Sequence, residues 1–381
     1  MIESNTTYDI AIIGGGLAGL TLAIQSANAG YRTILFEKES YPFHKVCGEY
    51  ISMESYQFLL QCGVPLKEWN LPFISQLQIS DCTGRFYEFP LTLGGFGISR
   101  YKLDHSLAMI AKQKRVELCE ETKVEDVIFQ NDLFQIQTHN SQYTAKFVAG
   151  SFGKRSNLDI KWRRTFSLKG KSRLNNYIGV KYHVKYDIDS RLIGLHNFKN
   201  GYCGISRIEN DTCCVCYLTT ADQLSNAGNT IEQLEAKVLS KNQVLAEIFS
   251  KAQLLYDKPL TIAQISFDRK KQVENHVLML GDAAGLITPL CGNGMSMAMH
   301  ASSLVFQNMK LFLDGVISRE QMEKRYIKVW KTQFSRRLAI GRFVQSFFGN
   351  PFLTRVFLYA MSKMPKLANW LIRQTHGSPF A

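Results

Sequence analysis

Residues 9–38 read DIAIIGGGLAGLTLAIQSANAGYRTILFEK, and the order of residue types in this stretch decides how the chain begins. Ile10 to Ile13 is an apolar run that predicts a buried strand, delivered into Gly14, Gly15 and Gly16. Ala18 and Gly19 open a helix that extends to about Ala29, where Gly30 stops it. Thr33 to Phe36 predicts a second strand, and Glu37 stands at its end. Strand, G-x-G-x-x-G turn, helix, strand and acid in that order make the βαβ fingerprint of a dinucleotide site.

Each position has a physical reason. Gly14 permits the tight turn, Gly16 keeps no side chain between backbone and pyrophosphate, and Gly19 lets helix and strand approach. The free N–H groups and positive end of the helix then favour a diphosphate. Glu37, roughly 20 residues on, can accept both hydroxyls of an adenosine ribose and would repel a 2′-phosphate. FAD or NAD is therefore expected here, and NADP is not.

The 381 residues suggest two or three domains, and a 45% apolar composition supplies an ordinary globular core. No apolar run reaches the ~18 to 20 residues a bilayer requires. The start, MIESNTTYD, has no basic segment before its first apolar run, so no signal peptide is expected. Nine cysteines, an odd number, and eight scattered histidines argue against a disulfide framework, a metal site or an iron–sulfur cluster. A reducing, cytoplasmic setting is expected. The net charge of +13 is unevenly placed: Lys331 to Ala381 holds eight basic residues and no acid, and Lys161 to Arg173 holds six more.

Helices are predicted over about 52–61, from Lys102, and over 230–239, 243–252, 292–313 and 319–330. Strands are predicted over 74–79, 86–91, 116–118, 123–129, 133–138, 143–149, 261–266 and 276–280, with Asn131-Asp132 as hairpin turn residues. Tyr177 to Leu218 reads as four strands, YIGVKYHV, RLIGLHNF, GYCGISRI and DTCCVCYL, of one antiparallel sheet. The expected organisation is a discontinuous Rossmann-like α/β domain (1–75, 98–160, 265–330), an inserted antiparallel substrate domain (76–97, 161–264) and a basic, apolar helical tail (331–381). Cys203, Cys213, Cys214 and Cys216 are expected as small apolar residues on that sheet.

A second anchor is NHVLMLGDAAGLITPLCGNGMSMAMHAS, residues 275–302. A buried strand delivers Gly281-Asp282, followed by a Pro289 turn and Gly292-Asn293-Gly294 at the start of a long helix. Asp282 suits a polyol hydroxyl. The fresh helix start suits negative charge, as on the pyrimidine edge of a reduced flavin.

With these motifs, GGGLAG, Glu37, the G-D-A-A-G-x-x-x-P-x-x-G-x-G run and R-x-x-L-D at Arg100 to Asp104, the chain resembles the FAD-dependent oxidoreductases of the para-hydroxybenzoate hydroxylase fold. It is most similar to their geranylgeranyl reductase and flavoprotein dehydrogenase branch. The loop K-V-C-G-E, Lys45 to Glu49, resembles that branch's K-P-C-G-G, as does the closing Thr375-His376-Gly377. The resemblance implies FAD, with Gly14, Gly16, Ala18 and Gly19 at the pyrophosphate and Glu37 and Lys38 at the adenosine. It further implies Lys45, Cys47 and Gly48 in the flavin-facing loop, and Arg100 along the pyrophosphate or ribityl chain, where an ion pair with Asp104 is the plainer alternative. The Val124 backbone would meet the adenine, Asp282 the ribityl region, and Gly292, Asn293 and Gly294 the isoalloxazine.

Three departures shape the activity. Where the hydroxylases carry A-D-G-x-x-S, this chain has Ser151-Phe152-Gly153-Lys154-Arg155-Ser156, so NAD(P)H as electron donor loses an acid tied to it. The prenyl reductases' Y-x-W-x-F-P survives only as Tyr202 in Tyr202 to Arg207, and the four tryptophans never form the halogenases' W-x-W-x-I-P. The expectation is an FAD-dependent oxidoreductase, favouring a monooxygenase on an aromatic, polyketide-like or lipid-like substrate. A reductase of unsaturated prenyl or lipid chains, or an electron-transfer flavoprotein fed by another redox protein, are the alternatives. No side chain stands out as catalytic; His44 and Glu49 are acid–base candidates, and Cys47 and Cys291 are expected near the flavin. The tail is expected either as an interfacial element toward anionic membrane or an acidic carrier, or as a cap whose apolar face is core. Nucleic acid is not an expected partner, since no binding module accompanies the charge.

Overall fold

The fingerprint strand lies at the middle of the first of two large sheets in the computed structural model, which describes residues 2–168, 176–286 and 292–380, with side chains from Thr7 onward. In chain order the strands are β1 Ile2–Ile13, β2 Thr33–Phe36, β3 Tyr50–Ser52, β4 Phe73–Ser80, β5 Phe86–Gly97, β6 Glu117–Cys119, β7 Val124–Gln130, β8 Leu133–Thr138 and β9 Ser141–Gly150. They continue as β10 Tyr177–Lys185, β11 Leu192–Phe198, β12 Gly201–Arg207, β13 Cys213–Thr220, β14 Gln253–Leu254, β15 Leu260–Ile265, β16 Val273–Glu274 and β17 Val277–Met279. The helices are α1 Leu17–Asn28, α2 Tyr56–Gln61, α3 Arg100–Gln113, α4 Asn157–Lys161, α5 Thr165–Leu168, α6 Ala221–Ala227, α7 Ile231–Lys237, α8 Gln243–Lys251, α9 Gly294–Leu313, α10 Arg319–Gln345, α11 Pro351–Lys363 and α12 Pro365–Thr375.

The first sheet runs β16-β17-β9-β1-β2-β6, with β8 paired to β9 and β7 to β8. Its central strands are parallel, so both faces are covered, and Ile10, Ala11, Ile12, Ile34, Leu35 and Phe36 are all buried. That burial explains why these strands read as unbroken apolar runs. Helices α1 and α9 pack side by side here: Thr21 Oγ1 and Ser302 Oγ lie 2.8 Å apart. The second sheet runs β14-β10-β13-β12-β11-β4-β5-β3, with β15 also on β10. It is antiparallel except where β4 meets β11 in parallel, because β4 arrives from a distant part of the chain. The mixed α/β fold with an antiparallel second sheet and C-terminal helices is therefore as expected.

The short elements α4, α5, β14 and β16 were not expected, and three larger differences bear on the packing. The helix expected over 319–330 is α10, which runs to Gln345, since Met322, Tyr326, Trp330, Phe334 and Leu338 keep one face buried and no proline interrupts it. Helix α6 escaped notice because its seven residues, between Thr220 and left-handed Gly228, are too few to show an apolar period. The segment expected as a single helix over 52–61 divides into β3, a 3₁₀ turn Met53–Ser55 and α2. The expected Pro289 turn and Cys291 lie outside the described residues.

The tail helices are two-faced. Leu358, Met361, Ala368 and Leu371 are buried in one cluster with Leu77, Ile79, Phe89, Leu91 and Tyr50 of the second sheet, so one face is core. The opposite face is exposed.

Candidate functional site: a glycine turn, two cations and two helix starts

Gly14 has φ +104°, and a Cβ there would lie 2.6 Å from the carbonyl oxygen of Ser151, so only glycine fits the turn. A Cβ on Gly19 would collide with the Gly14 carbonyl, which is what lets α1 start against the end of β1. Gly16, by contrast, faces open space, with the Arg100 guanidinium 3.7 Å from where its Cβ would be. Helix α1 begins directly after it with no side-chain cap, leaving its first N–H groups for a ligand. Ala18 is buried against Gly281. The Glu37 carboxylate is buried and accepts from Gly15 N–H at 2.8 Å, which fixes it beside the turn.

Two cations converge on the same turn. Arg100 reaches Asp104 through Nε and Nη2, both at 2.7 Å, and Lys45 Nζ reaches it at 3.0 Å and the Gly15 carbonyl at 3.4 Å. The plainer ion pair and the expected place beside the glycines thus coincide in one arrangement. Burial alone would raise the Asp104 carboxyl, but Arg100 and Lys45 outweigh it and hold it below the usual range. One carboxylate against two cations leaves net positive charge above the α1 start, which suits a diphosphate.

Gly281, at φ +59°, sits between α1 and α9: a Cβ there would be 3.3 Å from Ala18 and 3.5 Å from Ala298. Asp282, Gly294, Met297 and Trp330 line one narrow cleft beside it. The Asp282 backbone carbonyl accepts from Lys270 Nζ at 2.8 Å. Burial pulls the Lys270 amine down to about 8, against the opposing pull of Asp159 and Asp282. Gly292, at φ +64°, lies against the buried Tyr50 ring, 2.9 Å from where its Cβ would be.

Other expected residues take different places. Lys38 is exposed and pairs with Glu39 at 3.4 Å on the surface, because the chain leaves the buried sheet after Glu37. Asn293 is fully buried, its amide donating to the Thr375 carbonyl at 2.5 Å, so only its backbone stays at the α9 start. Its Oδ1 has no hydrogen-bond partner among the described residues. Val124 has its side chain in the core and its carbonyl bonded to Asn157 Nδ2 at 3.1 Å, two residues from Thr122, which bonds the Glu37 backbone at 2.8 Å. Cys47 is half-buried and its carbonyl accepts from Cys214 Sγ; Gly48 is exposed with nothing within 4 Å of a notional Cβ. Phe152, in place of the acid, packs edge-on to Trp162 with ring centroids 6.3 Å apart.

Sequence reasoning missed a buried polar network behind the Lys45–Glu49 loop. Glu49 Oε1 lies 2.5 Å from Lys181 Nζ and accepts from Arg100 N–H at 2.7 Å; Oε2 lies 2.5 Å from His183 Nε2. His183 Nδ1 contacts Tyr256 Oη at 2.7 Å, and Tyr256 reaches His44 Nε2 at 3.0 Å. Burial would raise the Glu49 carboxyl, yet Lys181 and His183 hold it below its ordinary value. Glu49, one of the two acid–base candidates, is fully buried and committed to three partners. Lys181 and His183, two positions apart in an apolar strand and so on one face, were the available signal. Glu49, His183 and Cys214 lie close enough to hold a metal, but the Lys181 ammonium already supplies the positive charge Glu49 needs. Cys213 and Cys216 are spaced C-x-x-C within β13, where residues three apart face opposite sides of the sheet.

The described residues fit FAD: the open glycine turn, the buried acid at the end of β2 and the paired cations match an adenosine diphosphate. Comparison with known proteins agrees. Residues 9–44 match the family model described as FAD binding domain. Conditioned medium factor receptor 1 of Dictyostelium discoideum is 23% identical over 89% of this chain and 70% of its own. The flavin-dependent brominase Bmp2 superposes with TM-score 0.78 at 18% identity, covering 99% of this chain and 95% of that one. A geranylgeranyl bacteriochlorophyll reductase-like protein of Thermoplasma acidophilum gives 0.76 at 19% identity, covering 98% and 96%. PqsL of Pseudomonas aeruginosa, described as a probable FAD-dependent monooxygenase, gives 0.73 at 15% identity, covering 93% and 100%. The chain thus carries an FAD-binding domain at its start and shares its fold with these flavin-dependent proteins.

Proposed function

We propose that the protein is an FAD-dependent monooxygenase acting on an aromatic, polyketide-like or lipid-like apolar substrate. The observation that carries the substrate class is the contact of Gly292 with Tyr50. Tyr50 belongs to a buried apolar cluster with Phe267, Ile265, Leu286, Tyr202 and Leu218, so the edge of an aromatic and aliphatic core meets the α9 start.

Bound flavin supplies the redox chemistry. The chain's part is to hold and enclose. Gly14, Gly16 and Gly19 admit the pyrophosphate, and Arg100 and Lys45 balance its charge. Glu37 takes the adenosine ribose, and the α9 N–H groups favour negative charge at the ring. The Tyr50 cluster excludes water from the space above it.

The reduced flavoprotein, mixed with oxygen and candidate apolar substrates, should yield hydroxylated product with one oxygen consumed per turnover. Saturation of a double bond under anaerobic conditions, with no oxygen requirement, would overturn this in favour of a reductase. That second reading draws on the K-V-C-G-E loop and the reductase-like neighbour. The electron donor is NAD(P)H or a redox protein; anaerobic reduction by NADH, NADPH and a ferredoxin distinguishes them.

A further inference from the structure

The outer face of the last two helices is apolar, aromatic and cationic at once. Helix α11 turns Thr354, Leu358 and Met361 inward, and on its opposite side Phe352 is 73% exposed, Val356 50% and Tyr359 53%. Helix α12 buries Ala368, Leu371 and Thr375 and exposes Leu367 and Trp370, with Met364 exposed at the junction. Both helices lay their inner faces on the same cluster, so their outer faces point away from it together.

Cations are interleaved with the aromatics. Arg355 and Lys363 stand one turn to either side of Tyr359, and Lys366 and Arg373 do the same for Trp370; all four are exposed. Arg355 also reaches Asp81 at 3.5 Å. From residue 331 to the end there is no acid. Clustered exposed side chains of this size mark a contact surface. A second copy set symmetrically on this face would bring like charges together. An acidic carrier would satisfy the cations and leave Phe352, Val356 and Leu367 without apolar partners. A bilayer interface satisfies both: Trp and Tyr at headgroup level, Phe, Val, Leu and Met in the acyl boundary, and Lys and Arg on lipid phosphate. Among the described residues no helix is long and apolar enough to cross a membrane, so such contact lies in the plane of the surface.

We propose that the outer face of α11 and α12 docks on an anionic lipid bilayer, with Phe352, Val356, Tyr359, Leu367 and Trp370 inserted and Lys363, Lys366 and Arg373 on the headgroups. The inference rests on this face alone, and its test needs no turnover.

The full-length protein is sedimented with vesicles of phosphatidylcholine alone and of phosphatidylcholine with phosphatidylglycerol. Binding is expected on the mixed vesicles, at least about tenfold weaker on phosphatidylcholine, and weakened by salt. Tryptophan emission should shift to shorter wavelength on binding. Two surface variants, F352S/Y359S/W370S and K363E/K366E/R373E, should each lower affinity about tenfold or more with circular dichroism unchanged. No binding to mixed vesicles, or binding that both variants keep, overturns the proposal. So does a wild-type dimer that the first variant dissociates, or capture of an acidic carrier protein through this face that vesicles do not displace.

Discussion

Glu49 and Lys181 form an ion pair, 2.5 Å apart, with neither side chain reaching solvent. Glu49 holds this position with φ +56°, a left-handed conformation unfavourable to a residue with a Cβ, where the resembling K-P-C-G-G loop has glycine. The bonds to Lys181, His183 and the Arg100 N–H offset that strain, and they clamp the Lys45–Glu49 loop against β10. Replacing Glu49 by Gln leaves a buried ammonium without its counter-charge, so unfolding free energy should fall by about 3–5 kcal/mol. Lys181→Met should cost about as much, and E49Q/K181M much less than their sum. Urea unfolding of the four proteins measures the coupling; simple additivity would show that the pair does not clamp the loop.

Arg100 and Lys45 share Asp104, and their combined charge faces the glycine turn. Arg100→Gln removes one charge-assisted contact to a diphosphate, worth roughly 1.5–3 kcal/mol, so FAD affinity should drop about 10- to 150-fold. Lys45→Met should act in the same direction and should also flatten the salt dependence of binding. Flavin fluorescence titration of apoprotein reads both. Affinity unchanged in both variants would remove the cations from the cofactor site.

Much of this was legible because the fingerprint is local. Gly14, Gly19 and Glu37 are constrained by neighbours within one βαβ unit, and residue type with spacing is enough to describe that unit. The Glu49 network was not legible as a whole: the spacing of Lys181 and His183 places them on one face of β10, but it does not say that Glu49, more than 130 residues away, meets that face. Asn293 was misleading for the same reason: its amide is taken by Thr375, far along the chain. The tail was ambiguous in sequence because an amphipathic helix can bury either face; packing of Leu358 and Leu371 decided which.

His196 is 1% exposed, and burial pulls its imidazole down to about 4 from 6.5. In the unfolded chain it protonates near 6.5, so between 6.5 and about 4 the unfolded state binds the extra proton. Stability attributable to this residue is therefore complete above pH 6.5 and is lost as pH falls toward 4. A shift of this size corresponds to on the order of 3 kcal/mol. His300, also pulled down to about 4 by burial and then by Arg337, adds to the same window. His196→Gln keeps a partner for Ser80, whose hydroxyl lies 3.0 Å from Nδ1, and should flatten the pH dependence of stability below 6.5 relative to wild type. Identical slopes for the two proteins would show that the ring takes up its proton at the same pH in the folded and unfolded chains.

Arg337 reaches both carboxylate oxygens of Glu54, at 2.8 and 2.9 Å, and ties α10 to the segment just after β3. Its Nε also donates to the Thr375 carbonyl at 3.4 Å, the same oxygen that takes Asn293. Burial raises the Glu54 carboxyl against the pull of Arg337, so the arginine is what keeps this buried acid paired. Arg337→Met should cost about 3–5 kcal/mol and expose the chain after residue 345 to limited proteolysis before the first sheet unfolds. Loss of the tail restraint without early cleavage would mean that the apolar cluster alone holds the helices.

Gly292 meets Tyr50 where the α9 start and the apolar cluster come together, and a side chain there has two costs. At φ +64° any residue with a Cβ is strained by about 1–2 kcal/mol, and the new Cβ stands 2.9 Å from the ring. Gly292→Ala should therefore lower stability and displace Tyr50, perturbing the absorbance of bound flavin and its rate of reduction. Tyr50→Ala in the G292A background removes the collision but not the backbone strain. The double variant should regain the flavin spectrum while staying less stable than Tyr50→Ala alone. A spectrum unaltered in G292A, with stability down, would place Gly292 away from the flavin and confine its role to the turn.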